Sequence, residues 1–375
     1  MRRVKMRMAE GRLRRRFVVS AVAVVALVAA GVAVAATKWP TAKQEIATSG
    51  INNIKFCGTK PINLAVEDGF GTNAWSAESY AAVKSTAAMC KNVKVIMTTA
   101  GDFVTSQEIA NVNAAVAQGA NALTLIADTG ADLLPAIQAA TKAGVKVIVW
   151  GASAGGTSGR DYVNYVDWND GAAGTLWANW MVKVLHGHGN VVYTGGPPGN
   201  PVGADQLKAI VNVFANHPGM HLLTGDTSWP ATYWDPATAA TVTAAFLGQY
   251  PKIDGIISNF GTDALAISQT MQKAGRKLVP MAALDANGLS CLYKSKKLPL
   301  MTISSRNWLG RIAARKAIAA AEGLPNNEPA IINLPAFEDT TAAGKTYQCN
   351  PKAAPDFYPS NKLTAAQITK YGTTG

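Results

Sequence analysis

Residues 118–151, QGANALTLIADTGADLLPAIQAATKAGVKVIVWG, decide the fold class. The segment contains an apolar run of strand length, a stretch with helical spacing that ends at a glycine, and a second apolar run, at 122–127, 133–143 and 145–150. Strands that are apolar on both faces are typical of a parallel sheet covered by helices. Ligands bind beyond the carboxyl ends of such strands, so the segment predicts a small-molecule cleft near Asp128 and Trp150.

The same alternation of strand and helix continues on both sides of this segment. Strands are predicted at 62–67, 93–98, 122–127, 145–150, 162–166, 190–193, 221–224, 255–258, 280–284, 301–304 and 330–334. Helices are predicted at 76–89, 106–118, 131–143, 170–185, 202–216, 236–250, 262–274 and 307–322. Two successive series of this kind predict an α/β protein of two doubly wound, Rossmann-like lobes. The last strands and helix follow both series, so the lobes are expected to be joined by several hinge crossovers.

The amino terminus has the pattern of an export signal. Residues 1–16 carry eight Lys or Arg and one Glu, and an uncharged Ala/Val-rich run follows at 17–36. The small residues Ala33 and Ala35 form an AxA-type cleavage site, which predicts a signal peptide over residues 1–35. An uncleaved anchor is the alternative, because the apolar run could just span a bilayer. Either reading places the protein outside the cytoplasm, in a periplasm or on the outer face of the cytoplasmic membrane.

The basic charge of the chain belongs mostly to this leader. Its eight basic residues and one acidic residue account for +7 of the formal charge of +12, which leaves +5 for the remainder. The other Lys and Arg are scattered and no nucleic-acid-binding motif accompanies them. We therefore expect no nucleic-acid partner.

Four cysteines in an exported chain predict disulfide bonds. Three pairings are possible. We favour Cys57 with Cys90, which bracket the first strand-helix unit, and Cys291 with Cys349, which both lie late in the chain.

Motifs of catalysis are not found in the sequence. No GxSxG or HExxH occurs, and the four histidines lie in one segment away from every cysteine. The two histidines of HGHG at 186–189 suit a helix end better than a zinc site. We expect no catalytic site, no metal and no cofactor.

Several strings along the chain carry a family resemblance. They are INLAVEDGFGTNAW, the segment quoted first, YVDWNDGAAG, GGPPGNP, IDGIISNFGTDALAISQTMQKAGR and LVPMAALD. In their order and spacing they resemble a type I periplasmic substrate-binding protein of the ribose-binding kind, the soluble receptor of an ABC importer. We expect an N-terminal lobe at 60–166 plus 306–328, a C-terminal lobe at 167–305 plus 329–345, and a tail at 346–375.

The resemblance also implies a set of pocket residues. Asn73 and Trp75 match the loop after the first strand, Trp234 matches an aromatic residue, and a family Gln falls near Ser305 or Arg306. Together with the positions at strand ends, the candidate ligand-binding residues are Asp68, Asn73, Trp75, Asp128, Trp150, Gln206, Trp234, Asn259, Asp285 and Arg306. For the tryptophans the alternative is ordinary core packing.

One position departs from the sugar-binding pattern. The fourth strand of the family ends in an acidic and then a basic residue that grip sugar hydroxyls, whereas Gly151 and Ala152 stand there in this chain. Trp150 directly before them could provide a stacking face.

The function that the resemblance implies is capture of a small polar ligand, a sugar or a sugar-like compound, between two closing lobes. A monomeric receptor would deliver this ligand to a membrane permease and its ATPase. The first alternative is a sensory receptor that docks on a membrane kinase or chemoreceptor. A second alternative is an exported sugar-modifying enzyme.

Overall fold

Residues 54–374 are described by the structure, which is a computed structural model. The predicted leader at 1–35 lies outside the described residues. Within them the chain forms two six-stranded sheets, each with helices on both faces. The prediction of two doubly wound α/β lobes is confirmed.

The first sheet is parallel throughout. Its strands are β1 (Ile62–Asp68), β2 (Val93–Ala100), β3 (Ala122–Leu125), β4 (Lys146–Trp150), β5 (Asn164–Trp168) and β11 (Ile331–Ile332). Their order across the sheet is β11-β5-β4-β3-β1-β2. Every residue of β3 is buried, and so is every residue of β4 after Lys146, which explains the continuous apolar runs in the sequence.

Helices of the first lobe cover the two faces of this sheet. They are α1 (Ala74–Ala87), α2 (Thr105–Ala117), α3 (Leu134–Lys142) and α9 (Leu309–Glu322). Helices α1 and α9 pack against each other, and α2 packs against α3. The disulfide Cys57–Cys90 joins the chain before β1 to the end of α1, as predicted.

The second sheet belongs to the second lobe. Its strands are β6 (Gly189–Thr194), β7 (Met220–Leu222), β8 (Gly255–Ser258), β9 (Met281–Leu284), β10 (Leu300–Ile303) and β12 (Ala336–Asp339). The order is β12-β10-β9-β8-β6-β7, and β12 pairs antiparallel to β10 while the other pairs are parallel. Strand β12 was not predicted from the sequence.

Helices of the second lobe follow the same arrangement. They are α4 (Asp170–Val184), α5 (Pro201–Phe214), α6 (Pro236–Gln249), α7 (Gly261–Lys273) and α8 (Asn287–Lys296). Helix α4 packs on α5, and α7 packs on both α6 and α8. Asp235 caps the N-terminus of α6 by accepting a hydrogen bond from the backbone N–H of Thr238 at 2.7 Å, and Pro236 occupies the first helical position. Helix α8 was not predicted.

Within residues 54–374 the chain crosses between the two sheets three times. The crossings run from β5 to α4, from β10 to α9, and from β11 to β12. The prediction assigned residues 329–345 to the second lobe, and this is wrong for β11, which pairs with β5 of the first sheet. A two-residue strand has too little apolar pattern to reveal its partner. The other lobe boundaries stay a prediction.

The carboxyl-terminal segment, residues 346–374, runs along both lobes. The predicted disulfide Cys291–Cys349 ties its beginning to α8. It ends in α10 (Ala365–Tyr371), capped by Thr364 and Gln367, and α10 packs on α1 of the first lobe.

Candidate functional site

A cleft lies between the carboxyl ends of the strands of the two sheets. The space in it that is free of protein atoms, including its mouth, measures about 430 Å³. The residues that line it are Asp68, Phe70, Asn73, Trp75, Ser76, Ile126, Asp128, Gly151, Val202, Trp234, Asn259, Phe260, Leu284 and Arg306.

The loop between β1 and α1 forms one wall of the cleft. Asn73 caps α1 by accepting the backbone N–H of Ser76 at 2.8 Å, and its amide nitrogen lies 3.5 Å from the carbonyl oxygen of Trp234 in the other lobe. The indole N–H of Trp75 donates to the carbonyl oxygen of Ser305 at 2.7 Å. Both side chains are therefore fixed by contacts that cross from the first lobe to the second lobe or the hinge.

Two carboxyl groups stand at neighbouring strand ends: Asp68 is the last residue of β1, and Asp128 follows β3. The chain passes so close between them that a Cβ on Gly69 would lie 2.5 Å from the Cβ of Asp128. Burial raises the pKa of Asp68 to about 6 and that of Asp128 to about 8. The Asp128 carbonyl oxygen accepts from the amide of Asn200 in the second lobe at 3.1 Å. The pair thus lies in a closed, desolvated edge of the cleft.

Aromatic side chains form the opposite wall. The indole N–H of Trp234 donates to Asn259 at 3.1 Å, and the Trp234 ring lies 6.1 Å from that of Phe260 and 5.4 Å from that of Phe103 in the first lobe. Phe103 stacks on Phe70 at 4.6 Å. Phe103 and Trp234 thus bring rings of the two lobes into contact beside the cleft.

The backbone of the two aromatic loops is held in the left-handed region. Asp102 and Phe103 have φ of 50° and 57°, and Tyr233 and Trp234 have φ of 55° and 53°. Non-glycine residues rarely adopt this conformation, and in proteins it concentrates at ligand-binding sites. A Cβ on Gly196 would lie 2.3 Å from the Trp234 ring, so glycine is needed for the indole to reach its place.

Arg306 enters the cleft from the crossing between β10 and α9. Its Nη1 donates to Asp167 and to Asp170, both at 3.2 Å. The guanidinium also lies over the ring of Trp168, 5.3 Å from its centre.

Seven of the ten candidate residues line the cleft. They are Asp68, Asn73, Trp75, Asp128, Trp234, Asn259 and Arg306. Their ligand contacts stay a prediction, but the structure brings them together.

Three candidates do not line the cleft. Trp150 is buried in the core of the first lobe, where its ring stacks on Trp75 at 6.1 Å. Gln206 donates to Asp170 at 3.1 Å and accepts from Tyr193. Asp285 accepts from the backbone N–H groups of Ser305 and Ser360 and from the Ser360 hydroxyl. The carboxylate of Asp285 is thus engaged by the hinge and the carboxyl-terminal segment.

Sequence reasoning missed the phenylalanines of the cleft. Phe70 and Phe260 line it, and Phe103 stacks on Phe70 and contacts Trp234. Each of the three phenylalanines lies two or three residues after the end of a strand, and this position is the one feature of the sequence that could have indicated a place in the cleft. A phenylalanine in a loop does not show by its sequence that its ring faces a cavity.

Three polar atoms of lining residues are buried and lack a hydrogen-bond partner. They are Oδ2 of Asp68, Nδ2 of Asn259 and Nε of Arg306. Buried groups of this kind are costly unless a partner completes them. The set comprises an acceptor and two donors, which is what hydroxyl groups can satisfy.

Within residues 54–374 no group of three or more His, Cys, Asp or Glu is placed to hold a metal ion. In the same range no helix is both long and apolar enough to cross a membrane.

Comparison with known families defines the class. Residues 69–325 match the family described as a periplasmic binding protein domain. The chain belongs to this family.

A curated relative and several solved structures are similar to it. The xylitol-binding protein of Mycolicibacterium smegmatis is 26% identical over 239 residues, which cover 63% of this chain and 65% of the relative, less than two thirds of its length. The arabinose-transporter binding protein of Shewanella sp. ANA-3, bound to L-arabinofuranose, has a TM-score of 0.65 at 17% identity and covers 74% of this chain and 92% of its own. A solute-binding protein of Bacillus halodurans with bound myo-inositol has a TM-score of 0.66 at 16% identity, with coverage of 74% and 94%. At these identities the structures establish the fold.

Proposed function

We propose that this protein is an exported receptor that captures a small, neutral polyhydroxyl compound, a sugar or a polyol, between its lobes. The three unpaired polar atoms inside an aromatic cleft are the observation that carries this proposal. Ligand hydroxyls would donate to Asp68 and accept from Asn259 and Arg306. The faces of Phe70, Trp234 and Phe260 would cover the C–H surfaces of the ligand.

The wall of the cleft sets the ligand class. Aromatic faces with a few buried polar atoms between them suit the C–H surfaces and hydroxyl groups of a sugar or a polyol. The relative named for xylitol and the fold relatives solved with arabinose and myo-inositol bind compounds of this kind.

Delivery to an ABC permease and its ATPase is the proposed destination of the ligand. Both lobes contribute lining residues, so a ligand would add contacts to the closed state that the open state lacks. A permease could then distinguish the loaded from the empty receptor by its closure. No catalytic step is proposed.

A sensory role is the second candidate. The fructose-binding periplasmic domain of a hybrid two-component system has a TM-score of 0.64 at 19% identity, with coverage of 73% of this chain and 89% of that one. The two roles differ in the partner on which the closed lobes dock. Binding of the ligand-loaded protein to vesicles that contain the permease of a neighbouring gene would favour uptake.

The decisive experiment is a ligand screen by isothermal titration calorimetry. The mature protein is titrated with xylitol, L-arabinose, myo-inositol and a wider panel of monosaccharides and polyols. We expect at least one to bind, and Trp234→Ala to weaken it about tenfold or more because a stacking face is lost. Trp180→Ala is the matched control, since Trp180 is a buried tryptophan that bonds to Asp339 in the second lobe and does not line the cleft. No binding by any compound of the panel would refute the proposal.

A further inference from the structure

The basic side chain of the cleft comes from the hinge and not from a strand end. The lining residues with charged side chains are Asp68, Asp128 and Arg306. Strand β4, where the sugar-binding pattern has its acidic and basic pair, is followed by Gly151 and Ala152. The cation that faces a ligand therefore comes from the crossing between β10 and α9.

A pair of carboxylates holds the Arg306 guanidinium. The side chain of Arg306 is 7% exposed, and those of Asp167 and Asp170 are 0% and 8% exposed. Asp167 lies in β5 of the first sheet, and Asp170 is the first residue of α4, which packs in the second lobe. Asp167 and Asp170, which we call the carboxylate clamp, thus lie on either side of the β5–α4 crossing. Together they bind Arg306, which lies in the β10–α9 crossing.

Further hydrogen bonds fix the clamp. Asp170 also accepts from the indole N–H of Trp168 at 2.7 Å and from Gln206 at 3.1 Å. Asp167 accepts from the Trp168 backbone N–H at 2.8 Å and from the Tyr165 hydroxyl. Because each carboxylate is held independently, the guanidinium has a defined position.

The hydrogen bonding of the Arg306 side chain is incomplete. Its Nε is buried without a partner, and its backbone has φ of 62°, in the left-handed region. A buried charged donor with a free N–H is costly, and a strained backbone adds to that cost. A purely structural ion pair requires neither feature.

We propose that Arg306 determines which hydroxyl compound the cleft accepts, and that Asp167 and Asp170 are the positioning residues that present its guanidinium to the ligand. This inference rests on the proposed function. Opening of the hinge would separate the two sides of the clamp, so a ligand bound to Arg306 would stabilise the closed arrangement of the crossings. The Arg306 side chain then links recognition of the ligand to closure of the two lobes.

The first test separates ligand recognition from structural support. Xylitol, L-arabinose and myo-inositol are titrated into the wild type, into Arg306→Lys and into the charge-balanced double variant Arg306→Gln with Asp170→Asn. Lysine keeps the charge but loses the planar fork. We expect affinity to fall about tenfold to a hundredfold, by factors that differ among the probes. Arg315→Lys is the control, because Arg315 is a buried arginine paired with Glu328 and does not line the cleft.

The second test is a double-mutant cycle. Asp170→Asn is made alone and in the Arg306→Gln background, and the dissociation constant and melting temperature are measured for each. If Asp170 acts through Arg306, its loss weakens binding in the wild type and not further in the Arg306→Gln background. A merely structural role would give the same loss in both backgrounds.

The outcomes distinguish this inference from the proposed function. A wild type that binds none of the probes overturns the proposed function and this inference with it. A wild type that binds, together with unchanged affinities in Arg306→Lys and in the double variant, overturns the inference alone.

Discussion

Asp285 shows how the role of a single residue depends on what surrounds it. It follows β9 at the strand end where a ligand contact is expected, yet three donors from Ser305 and Ser360 surround its carboxylate. Ser360 is 75 positions away in the chain. Strand-end position is a local property, whereas the approach of a distant segment is not. The same reasoning separates Trp150, buried behind the cleft, from Trp234 inside it.

The buried carboxyl groups predict how stability responds to pH. Burial raises the pKa of Asp128 to about 8 and that of Asp68 to about 6, well above their unfolded values near 4. Glu67 and Glu108 shift in the same direction, to about 8 and about 9. Between pH 4 and 8 these carboxyl groups ionise in the unfolded chain at a lower pH than they do in the folded protein. Rising pH therefore stabilises the unfolded chain relative to the folded, ligand-free protein.

We therefore expect Asp128→Asn to reduce this loss of stability. Melting temperatures of the ligand-free wild type and the variant are measured from pH 5 to pH 8. The wild type should lose several degrees more than the variant over this range. Equal losses would show that Asp128 ionises in the folded protein as it does in the unfolded chain.

The pairing of α4 with α5 depends on a close approach of their backbones. A Cβ on Gly174 would lie 2.4 Å from the carbonyl oxygen of Gln206 and 2.9 Å from its Cα. Backbone atoms cannot give way as a flexible side chain can. Glycine in α4 is thus a packing requirement, although in isolation it weakens a helix.

Gly174→Ala is accordingly expected to destabilise the protein by about 1–3 kcal/mol, since it overpacks the contact between the two helices. Gly171→Ala, in the first turn of the same helix, is the control, because its Cβ would meet Asn169 at an ordinary 3.5 Å. That variant should be neutral or slightly more stable. Chemical denaturation measures both, and equal stabilities of the two variants would contradict the expectation.

At the scale of the whole molecule, the carboxyl-terminal segment at 346–374 joins the lobes. Asn287 of α8 holds it through bonds to three carbonyl oxygens. Farther along, the backbone N–H of Tyr358 donates to Glu78 of α1, and Ser360 donates to Asp285 beside the hinge. The segment is therefore fixed to both lobes and to the region between them.

Truncation after Cys349 should reveal this contribution. It keeps the disulfide to α8 but leaves Glu78, Asp285 and Asn287 without these partners, so the melting temperature should fall by ~5 °C or more. Small-angle scattering should also show a larger radius of gyration without ligand. Truncation after Tyr371, which keeps α10, is the control. A melting temperature and radius unchanged in the longer deletion would show that the segment does not restrain the lobes.

The sequence by itself determined the two doubly wound lobes and half of the residues that line the cleft, because apolar period and strand ends are local signals. It also favoured the disulfide pairing that the structure has. The tertiary structure decided the rest. Helix α8 is polar on average and strand β12 is only four residues long, and the partner of β11 depends on which edge of a sheet is open. The carboxylate clamp on Arg306 and the hydrogen bonds from Ser305 and Ser360 to Asp285 join residues that are distant in sequence. Such contacts form where the crossings bring chain segments together, and no local pattern records them.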